Sequence, residues 1–236
     1  MTNLIRLTLV VIVTACLGTL GILSCLVVPS GDAVISLARL WAWLILKVSR
    51  VRVVIEGGEK IRPPGPYVFL SNHQSQFDIL AAVRAIPLQF RVVAKRELLY
   101  IPVFGWVLHL SGFVGIDRRD REWAIRSLEK AAGRIHRGRS LLIYAEGTRS
   151  RDGQLLPFKK GGFILAIQAG VPVIPLTILG SREVLPKGSF KIRPGTITVK
   201  VGDPIDPRSY NLQEKEALMA RVRSAMTTAL ESGPAA

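Results

Sequence analysis

The chain combines a strongly basic charge with an apolar composition. Of its 236 residues, 32 are Lys or Arg and 17 are Asp or Glu, which gives a formal net charge of +15, yet 49% of the residues are hydrophobic. This apolar content excludes an intrinsically disordered chain, and the long polar stretch that follows the first apolar segments excludes a polytopic transporter. The combination favours a protein held at an anionic membrane surface.

Two apolar segments open the chain. Residues 7–28 carry no charged side chain, and as a helix they would extend about 33 Å, close to the hydrocarbon thickness of a bilayer. Residues 29–32 predict a turn. Residues 33–48 predict a second apolar helix, with Trp41 and Trp43, residues that favour the membrane interface, near its middle. We therefore predict a two-helix membrane-anchoring hairpin over residues 1–50, which either spans the bilayer or lies in one leaflet.

A signal peptide is the alternative interpretation of this segment. Residues 13–16 resemble a lipoprotein cleavage site that ends at Cys16. The apolar run continues for 12 residues beyond this cysteine, whereas a polar tether would be expected there. Basic residues before and after the segment suit a hairpin with both ends in the cytoplasm.

Short β-rich runs alternate with helical patterns from residue 51 onward. The predicted strands are residues 51–56, 67–71, 90–94, 112–116, 141–145, 173–179 and 196–201. The predicted helices are residues 79–85, 103–110, 122–137, 163–169 and 214–231. This order predicts an α/β domain over residues 51–236, in which helices flank a mixed, mostly buried sheet.

The basic excess lies mainly in this domain, which carries +12 against +3 for the first 50 residues. A membrane-attached nucleic-acid-binding protein is therefore one alternative. The sequence has no zinc-ligand spacing, no marked helix-turn-helix and no aromatic-rich binding strand. We accordingly expect no nucleic-acid partner and no metal site.

The first candidate for chemistry follows the second predicted strand directly. Residues 72–78 read NHQSQFD, and polar residues at a strand end are where α/β folds build sites. A turn can bring Asp78 to one imidazole nitrogen of His73 and leave the other nitrogen for a substrate. The alternative is that Asp78 caps the following helix and His73 is a loop histidine.

Two further candidates supply positive charge where other predicted strands end. The strand 112–116 leads into Asp117 and Arg118, and a guanidinium suits bidentate recognition of phosphate. Lys95, at the end of another predicted strand, is a second anion-binding candidate. The alternative for Arg118 is a surface salt bridge.

The segment EGTRS at residues 146–150 also follows a predicted strand. Gly147 permits a tight turn beside a ligand, Glu146 is placed to orient a hydroxyl, and Arg149 is placed to hold a phosphate. Taken alone, this segment is equally compatible with an ordinary turn after a strand. A proline-containing strand at residues 171–176 predicts an apolar wall.

NHxxxxD at residues 72–78 and EGTRS at residues 146–150, in this order behind an apolar hairpin, resemble the glycerolipid acyltransferase family. The resemblance covers roughly residues 50–210 and is closest to the bacterial 1-acyl-sn-glycerol-3-phosphate (lysophosphatidate) acyltransferases. It implies that His73 is the general base and that Asp78 orients it. The hydroxyl of lysophosphatidate would then attack the thioester of acyl-CoA or acyl-acyl-carrier-protein and form phosphatidate.

The resemblance also implies the substrate-binding residues and the partners. It places the acceptor phosphate on Arg118, with help from other side chains; the predicted substrate-binding residues are Asn72, Lys95, Arg118, Glu146, Gly147, Thr148 and Arg149. It implies no metal or bound cofactor, and a bacterial inner membrane with the catalytic domain on the cytoplasmic face. The oligomeric state has no signature in the sequence.

Two positions depart from the family pattern. Gly115 stands where the family usually has a bulky residue, and Tyr144 and Ala145 precede Glu146 where the family usually has Phe-Pro. These departures leave the chain-length preference and the acceptor open. Another lysophospholipid or a hydroxylated amino-lipid is therefore the alternative acceptor.

Overall fold

The computed structural model describes residues 2–116 and 121–234. Its helices are α1 (Asn3–Val27), α2 (Asp32–Ser49), α3 (Phe77–Ala85), α4 (Phe104–Leu110), α5 (Arg121–His136), α6 (Gly161–Ala169), α7 (Ser181–Val184) and α8 (Lys215–Glu231). Its strands are β1 (Val51–Glu56), β2 (Val68–Ser71), β3 (Phe90–Lys95), β4 (Val114–Ile116), β5 (Ser140–Tyr144), β6 (Val173–Leu179) and β7 (Gly195–Val201). Short 3₁₀ helices cover Gly58–Lys60, Arg96–Tyr100 and Pro207–Ser209.

The strands form one mixed sheet in the order β1-β7-β6-β2-β5-β3-β4. From β6 to β4 the neighbouring strands are parallel, whereas β7 is antiparallel to β6 and parallel to β1. The carboxyl ends of β2, β3, β5 and β6 therefore meet at one edge of the sheet, where open α/β sheets build their sites.

Apolar side chains cover both faces of the sheet. On one face, α2 and α3 pack on a core that includes Phe69, Phe77 and Ile174. On the other, α5, α6 and α8 pack on a core that includes Leu70 and Phe163. Burying each such side chain contributes about 1.5–3 kcal/mol. The predicted fold class, a mixed and mostly buried sheet flanked by helices behind an apolar N-terminal helix, is confirmed.

The element bounds agree with the sequence patterns to within about two residues, except that α1 begins at Asn3, four residues before the predicted apolar segment. The predicted strand 112–116 begins later, at Val114, because Gly112 adopts φ +80° and turns the chain after α4. Helix α7 was missed because it has only four residues and no repeating apolar pattern.

Helices α1 and α2 form an antiparallel hairpin around Gly31. This glycine has φ +71°, and a Cβ there would lie 2.7 Å from the Cα of Ser111. Among the described residues, α1 is the one helix both long and apolar enough to cross a membrane. Helix α2 contributes Ile35, Ala42 and Ile45 to the same buried core as the sheet. The division of the chain at residue 50 stays a prediction.

Candidate active site

The candidate residues gather at the carboxyl edge of two adjacent strands. Strand β2 ends at Ser71 and leads into Asn72 and His73, and β5 ends at Tyr144 and leads toward Glu146. Ser71 is paired with Tyr144 in the parallel ladder. The two sequence motifs, about 70 residues apart, are therefore neighbours because parallel strands align their carboxyl ends.

His73 and Asp78 form a hydrogen-bonded pair. His73 Nδ1 lies 2.7 Å from Asp78 Oδ2, and the carboxylate is buried whereas 21% of the histidine side chain is exposed. The backbone N–H groups of Gln74 and Ser75 donate to the same oxygen at 2.7 and 2.8 Å. Asp78 thus holds the loop before α3 and contacts the imidazole with the same oxygen. The N-cap residue of α3 is Gln76, without a side-chain cap hydrogen bond, so the alternative that Asp78 caps this helix is wrong.

This pairing determines which nitrogen of the imidazole is available to a substrate. A neutral ring that donates from Nδ1 to a carboxylate carries its lone pair on Nε2. A carboxylate on Nδ1 also stabilises the imidazolium that forms when Nε2 accepts a proton. The pair therefore has the geometry of an oriented general base.

Tyr144 supports the imidazole from one side. Its ring stacks on His73 with centroids 4.0 Å apart and an interplanar angle of 19°. The hydroxyl is buried, and the described residues offer it no hydrogen bond. Burial, followed by the charge of Asp78, raises the pKa of Tyr144 well above its usual value. Tyr144 departs from the family pattern at this position, and no sequence pattern predicts its contact with His73.

Glu146 holds two loops together from a buried position. Its Oε1 accepts the backbone N–H of His73 at 2.9 Å, and its Oε2 accepts that of Leu156 at 3.1 Å. Burial is the main cause that raises its pKa to about 7; the two backbone hydrogen bonds act in the opposite direction. The hydrogen bond to the backbone of His73 makes Glu146 a positioning residue for the pair, and direct contact with substrate stays a prediction.

Asn72 has a similar bridging place. Its Nδ2 donates to the carbonyl of Ile178 at 2.9 Å, and its Oδ1 accepts the N–H of Ile178 at 2.7 Å. The side chain is fully buried. It therefore ties the end of β2 to β6 and fixes the backbone from which His73 projects.

The residues after Glu146 form a turn toward solvent. Gly147 has φ +73°, in the left-handed region that favours glycine. Lys187 Nζ donates to Thr148 Oγ1 at 3.2 Å and to the carbonyl of Arg149 at 2.7 Å. No local pattern predicts this role of Lys187, which is 38 residues beyond Arg149 in the sequence.

The remaining predicted anion-binding residues belong to three different segments of the chain. Lys95 ends β3, is 60% exposed and pairs with Glu97 at 2.7 Å. Arg149 is half-buried, and the described residues offer its guanidinium no hydrogen bond. Arg118 lies outside the described residues; strand β4, two residues before it, pairs with β3 beside Lys95.

The described ranges bring together no three His, Cys, Asp or Glu side chains in a way that would suit a metal ion. The expectation that the chemistry needs no metal or bound cofactor stays a prediction.

Comparison with known proteins places these observations in a family. The Acyltransferase family profile matches residues 52–179, which include both motifs. An uncharacterised acyltransferase of Schizosaccharomyces pombe is 37% identical over 196 residues, or 82% of this chain and 70% of the relative. Human 1-acyl-sn-glycerol-3-phosphate acyltransferase alpha is 34% identical over 179 residues, or 75% of this chain and 63% of the relative.

A solved structure resembles the whole chain. The crystal structure of the 1-acyl-sn-glycerophosphate acyltransferase PlsC from Thermotoga maritima superposes with a TM-score of 0.78 at 25% identity and covers 100% of both chains. The region of this chain matched in each comparison includes the edge of the sheet that carries His73 and Asp78. The chain therefore belongs to the acyltransferase family.

Proposed function

We propose that the chain is a membrane-associated 1-acyl-sn-glycerol-3-phosphate O-acyltransferase. It would move an acyl chain from acyl-CoA or acyl-acyl-carrier-protein to the free hydroxyl of lysophosphatidate and form phosphatidate for phospholipid synthesis. The observation that carries the proposal is the His73–Asp78 pair, with its 2.7 Å hydrogen bond and a partly exposed imidazole. The human and Thermotoga relatives, both named as acyltransferases of 1-acylated glycerol phosphates, support the acceptor.

The proposed reaction proceeds in one displacement at the thioester carbon. His73 Nε2 removes the proton from the acceptor hydroxyl while that oxygen attacks the carbonyl carbon. The C–O bond forms, the C–S bond breaks, and the leaving thiolate takes the proton from the imidazolium. Asp78 stabilises the imidazolium between these steps, and no acyl-enzyme is formed.

The acceptor phosphate would bind basic side chains that end or follow strands β3, β4 and β5. We propose Arg118 as its main partner, with Arg149 and Lys95 assisting, since guanidinium groups match the geometry of phosphate. Gly147 and Thr148 lie in the turn that carries Arg149. Asn72 and Glu146 would act here through the backbone that they hold.

The membrane is the proposed location of the reaction. Helix α1 supplies the apolar surface, and the basic domain adds about 1 kcal/mol of attraction for each Lys or Arg near an anionic surface. We propose that the protein attaches to a bacterial inner membrane with the domain on the cytoplasmic face. The acyl donor is a substrate, and the proposed chemistry requires no further cofactor.

A panel of acceptors tests the proposed substrate. Purified protein would receive a radiolabelled acyl donor, first acyl-CoA and then acyl-acyl-carrier-protein, with lysophosphatidate, neutral and zwitterionic lysophospholipids, or a hydroxylated amino-lipid. We expect phosphatidate as the main product. Product from another acceptor but none from lysophosphatidate would overturn the assignment while leaving the chemistry.

A substitution tests the phosphate site separately. Arg118→Ala should raise KM for lysophosphatidate more than KM for an acceptor without a terminal phosphate. Arg137→Ala is the control, because Arg137 is an exposed arginine that follows α5. Equal kinetic constants for Arg118→Ala and the unsubstituted protein would refute this role of Arg118.

A further inference from the structure

A second apolar surface lies on the segment between β3 and β4. Within 13 residues, five large apolar side chains are between 37% and 67% exposed. They are Leu98, Tyr100, Ile101, Trp106 and Leu110. We call this surface the α4 face.

The α4 face lies beside α1. A Cβ on Gly18 of α1 would lie 2.9 Å from Val103 Cγ1, and one on Gly21 would lie 3.5 Å from Val107 Cγ1. These two glycines therefore allow α1 to approach α4 closely. Val11 is two turns before Gly18 and therefore lies on nearly the same side of α1. It is 66% exposed, so the two helices present neighbouring apolar surfaces.

The α4 face also contains a groove with a polar rim. The groove, of about 450 Å³, is lined by Arg96, Leu99, Tyr100, Trp106, His109 and Leu110. The guanidinium of Arg96 lies 5.9 Å from the ring centroid of Tyr100. Leu99 approaches the sheet at Gly115, where a Cβ would lie only 2.7 Å from Leu99 Cδ1. The glycine that departs from the family pattern thus makes room for the base of this groove.

We propose that the α4 face is a second membrane-contact surface, which rests on an anionic lipid bilayer beside α1. Tyr100 and Trp106 lie at the level of the headgroups, where such rings are enriched. Leu110 and Ile101 enter the acyl region, and Arg96 and His109 face lipid phosphates. This inference rests on the membrane attachment in the proposed function and adds the surface that would orient the site.

The bilayer is favoured over a second protein by what adjoins the surface. Helix α1 continues the apolar area with 25 residues that would suit hydrocarbon. The +12 charge of the domain complements anionic headgroups. The 3₁₀ helix that carries Tyr100 begins directly after Lys95, so contact at the α4 face would bring the carboxyl edge of the sheet to the lipid surface.

Fluorescence quenching of Trp106 tests the contact without using the reaction. The full chain would keep Trp106 as its one tryptophan, with Trp41, Trp43 and Trp123 changed to Phe. On vesicles of phosphatidylcholine and phosphatidylglycerol, we expect dibrominated lipids to quench Trp106 and vesicles to shield it from iodide. Equal iodide access with and without vesicles would overturn the proposal, as would shielding that depends only on protein concentration, which would indicate a second copy.

A matched pair of leucines provides a second test in the otherwise unsubstituted chain. Leu110 and Leu212 are 44% and 42% exposed, but Leu212 lies in the loop before α8, outside the α4 face. Leu110→Ser should weaken the vesicle Kd about tenfold, because burying one leucine in lipid contributes at least that factor. Leu212→Ser should leave the Kd unchanged, and equal effects of the two changes would overturn the proposal.

These outcomes are separate from those of the proposed reaction. Neither measurement uses an acyl donor or acceptor. Quenching of Trp106 in a protein that makes no phosphatidate would refute the proposed substrate and keep the α4 face. Phosphatidate synthesis by a protein whose Trp106 stays accessible to iodide on vesicles would keep the proposed substrate and refute the α4 face as a membrane contact.

Discussion

Two carboxyl groups at opposite edges of the sheet, one partly and one fully buried, have pKa values that are shifted in opposite directions. At the amino edge, Asp32 begins α2 and pairs with Arg91 and Arg139. Burial alone would raise the pKa of Asp32, but hydrogen bonds from Arg91 and Ser30 and the charges of the two arginines bring it below its usual value. At the carboxyl edge, the hydrogen bonds that Glu146 accepts from the described residues come only from backbone amides, and burial raises its pKa to about 7.

The charged side chains therefore differ in role between the two edges of the sheet. Arg91 is 1% exposed and also donates to the carbonyls of Ser30 and Phe90, at 2.8 and 2.9 Å. These bonds tie the turn of the hairpin to the sheet. The carboxyl edge instead keeps an imidazole partly open and has no cation paired with its buried carboxylates among the described residues. The first arrangement stabilises the fold, and the second leaves the imidazole of the proposed base partly accessible.

Removal of the imidazole should produce the largest effect. His73→Ala should lower the rate of acyl transfer by about 10²–10⁴-fold, because a positioned general base contributes that factor. Its free energy of unfolding and its vesicle binding should stay close to those of the unsubstituted chain. The measurement is initial rate at saturating donor, alongside circular dichroism.

His136→Ala provides the control for this change, since His136 is an exposed histidine at the end of α5. It should transfer acyl chains at the unsubstituted rate. Turnover by His73→Ala at the rate of this control would remove His73 from the mechanism.

At the opposite edge, Arg91→Ala should act on stability instead of chemistry. It leaves Asp32 half-paired and removes the bonds to Ser30 and Phe90, a type of change that costs about 3–5 kcal/mol. Urea unfolding should report this loss, whereas activity per folded molecule should be retained. Arg84→Ala, at an exposed arginine near the end of α3, should change stability by less than about 0.5 kcal/mol.

An unfolding midpoint of Arg91→Ala equal to that of Arg84→Ala would show that the pair with Asp32 contributes nothing. A loss of activity in the folded Arg91→Ala protein would show instead that the two edges are coupled. Either result would break the division between a structural and a functional edge.

The two edges also differ in how far the sequence predicts them. His73 and Asp78 are five residues apart after a strand, and EGTRS follows another strand, so local pattern and parallel pairing suffice to bring them together. Arg91 lies within an apolar strand, 59 residues from Asp32, and no local pattern predicts their contact. Lys187 and the stacking of Tyr144 on His73 depend in the same way on tertiary packing. The bridging role of Asn72 was likewise hidden, because its partner Ile178 is 106 residues away.

The pKa of Glu146 predicts a pH-dependent difference in stability. A carboxyl with an ordinary pKa near 4.5 in the unfolded chain and about 7 in the folded chain binds its proton more tightly when folded. Its contribution is fully present below pH 4.5 and is lost as the pH rises through 7. Relative to Glu146→Gln, the unsubstituted chain should therefore lose on the order of 3 kcal/mol between pH 4.5 and 8.

Urea unfolding of both proteins across this pH range measures the difference. Glu231→Gln supplies the control, because Glu231 is an exposed carboxylate at the end of α8. Its stability curve should run parallel to that of the unsubstituted chain. Parallel curves for Glu146→Gln as well would mean that the carboxyl of Glu146 is ionised in the folded chain throughout this pH range.

The smallest effect concerns the hydroxyl of Tyr144. This group is buried without a hydrogen-bond partner among the described residues, and an unsatisfied buried hydroxyl costs free energy that a phenylalanine would not. Tyr144→Phe should therefore raise the free energy of unfolding by about 1 kcal/mol and preserve both the stack on His73 and the rate of acyl transfer. Tyr67→Phe should instead lower the free energy of unfolding, because the Tyr67 hydroxyl donates to the carbonyl of Arg62 at 2.8 Å.

If Tyr144→Phe instead lowers stability and shifts the pH profile of the rate, the hydroxyl of Tyr144 has a partner at the site. Asp78 Oδ1, which is also buried without a described partner, would then be the acceptor to examine first, directly or through one water.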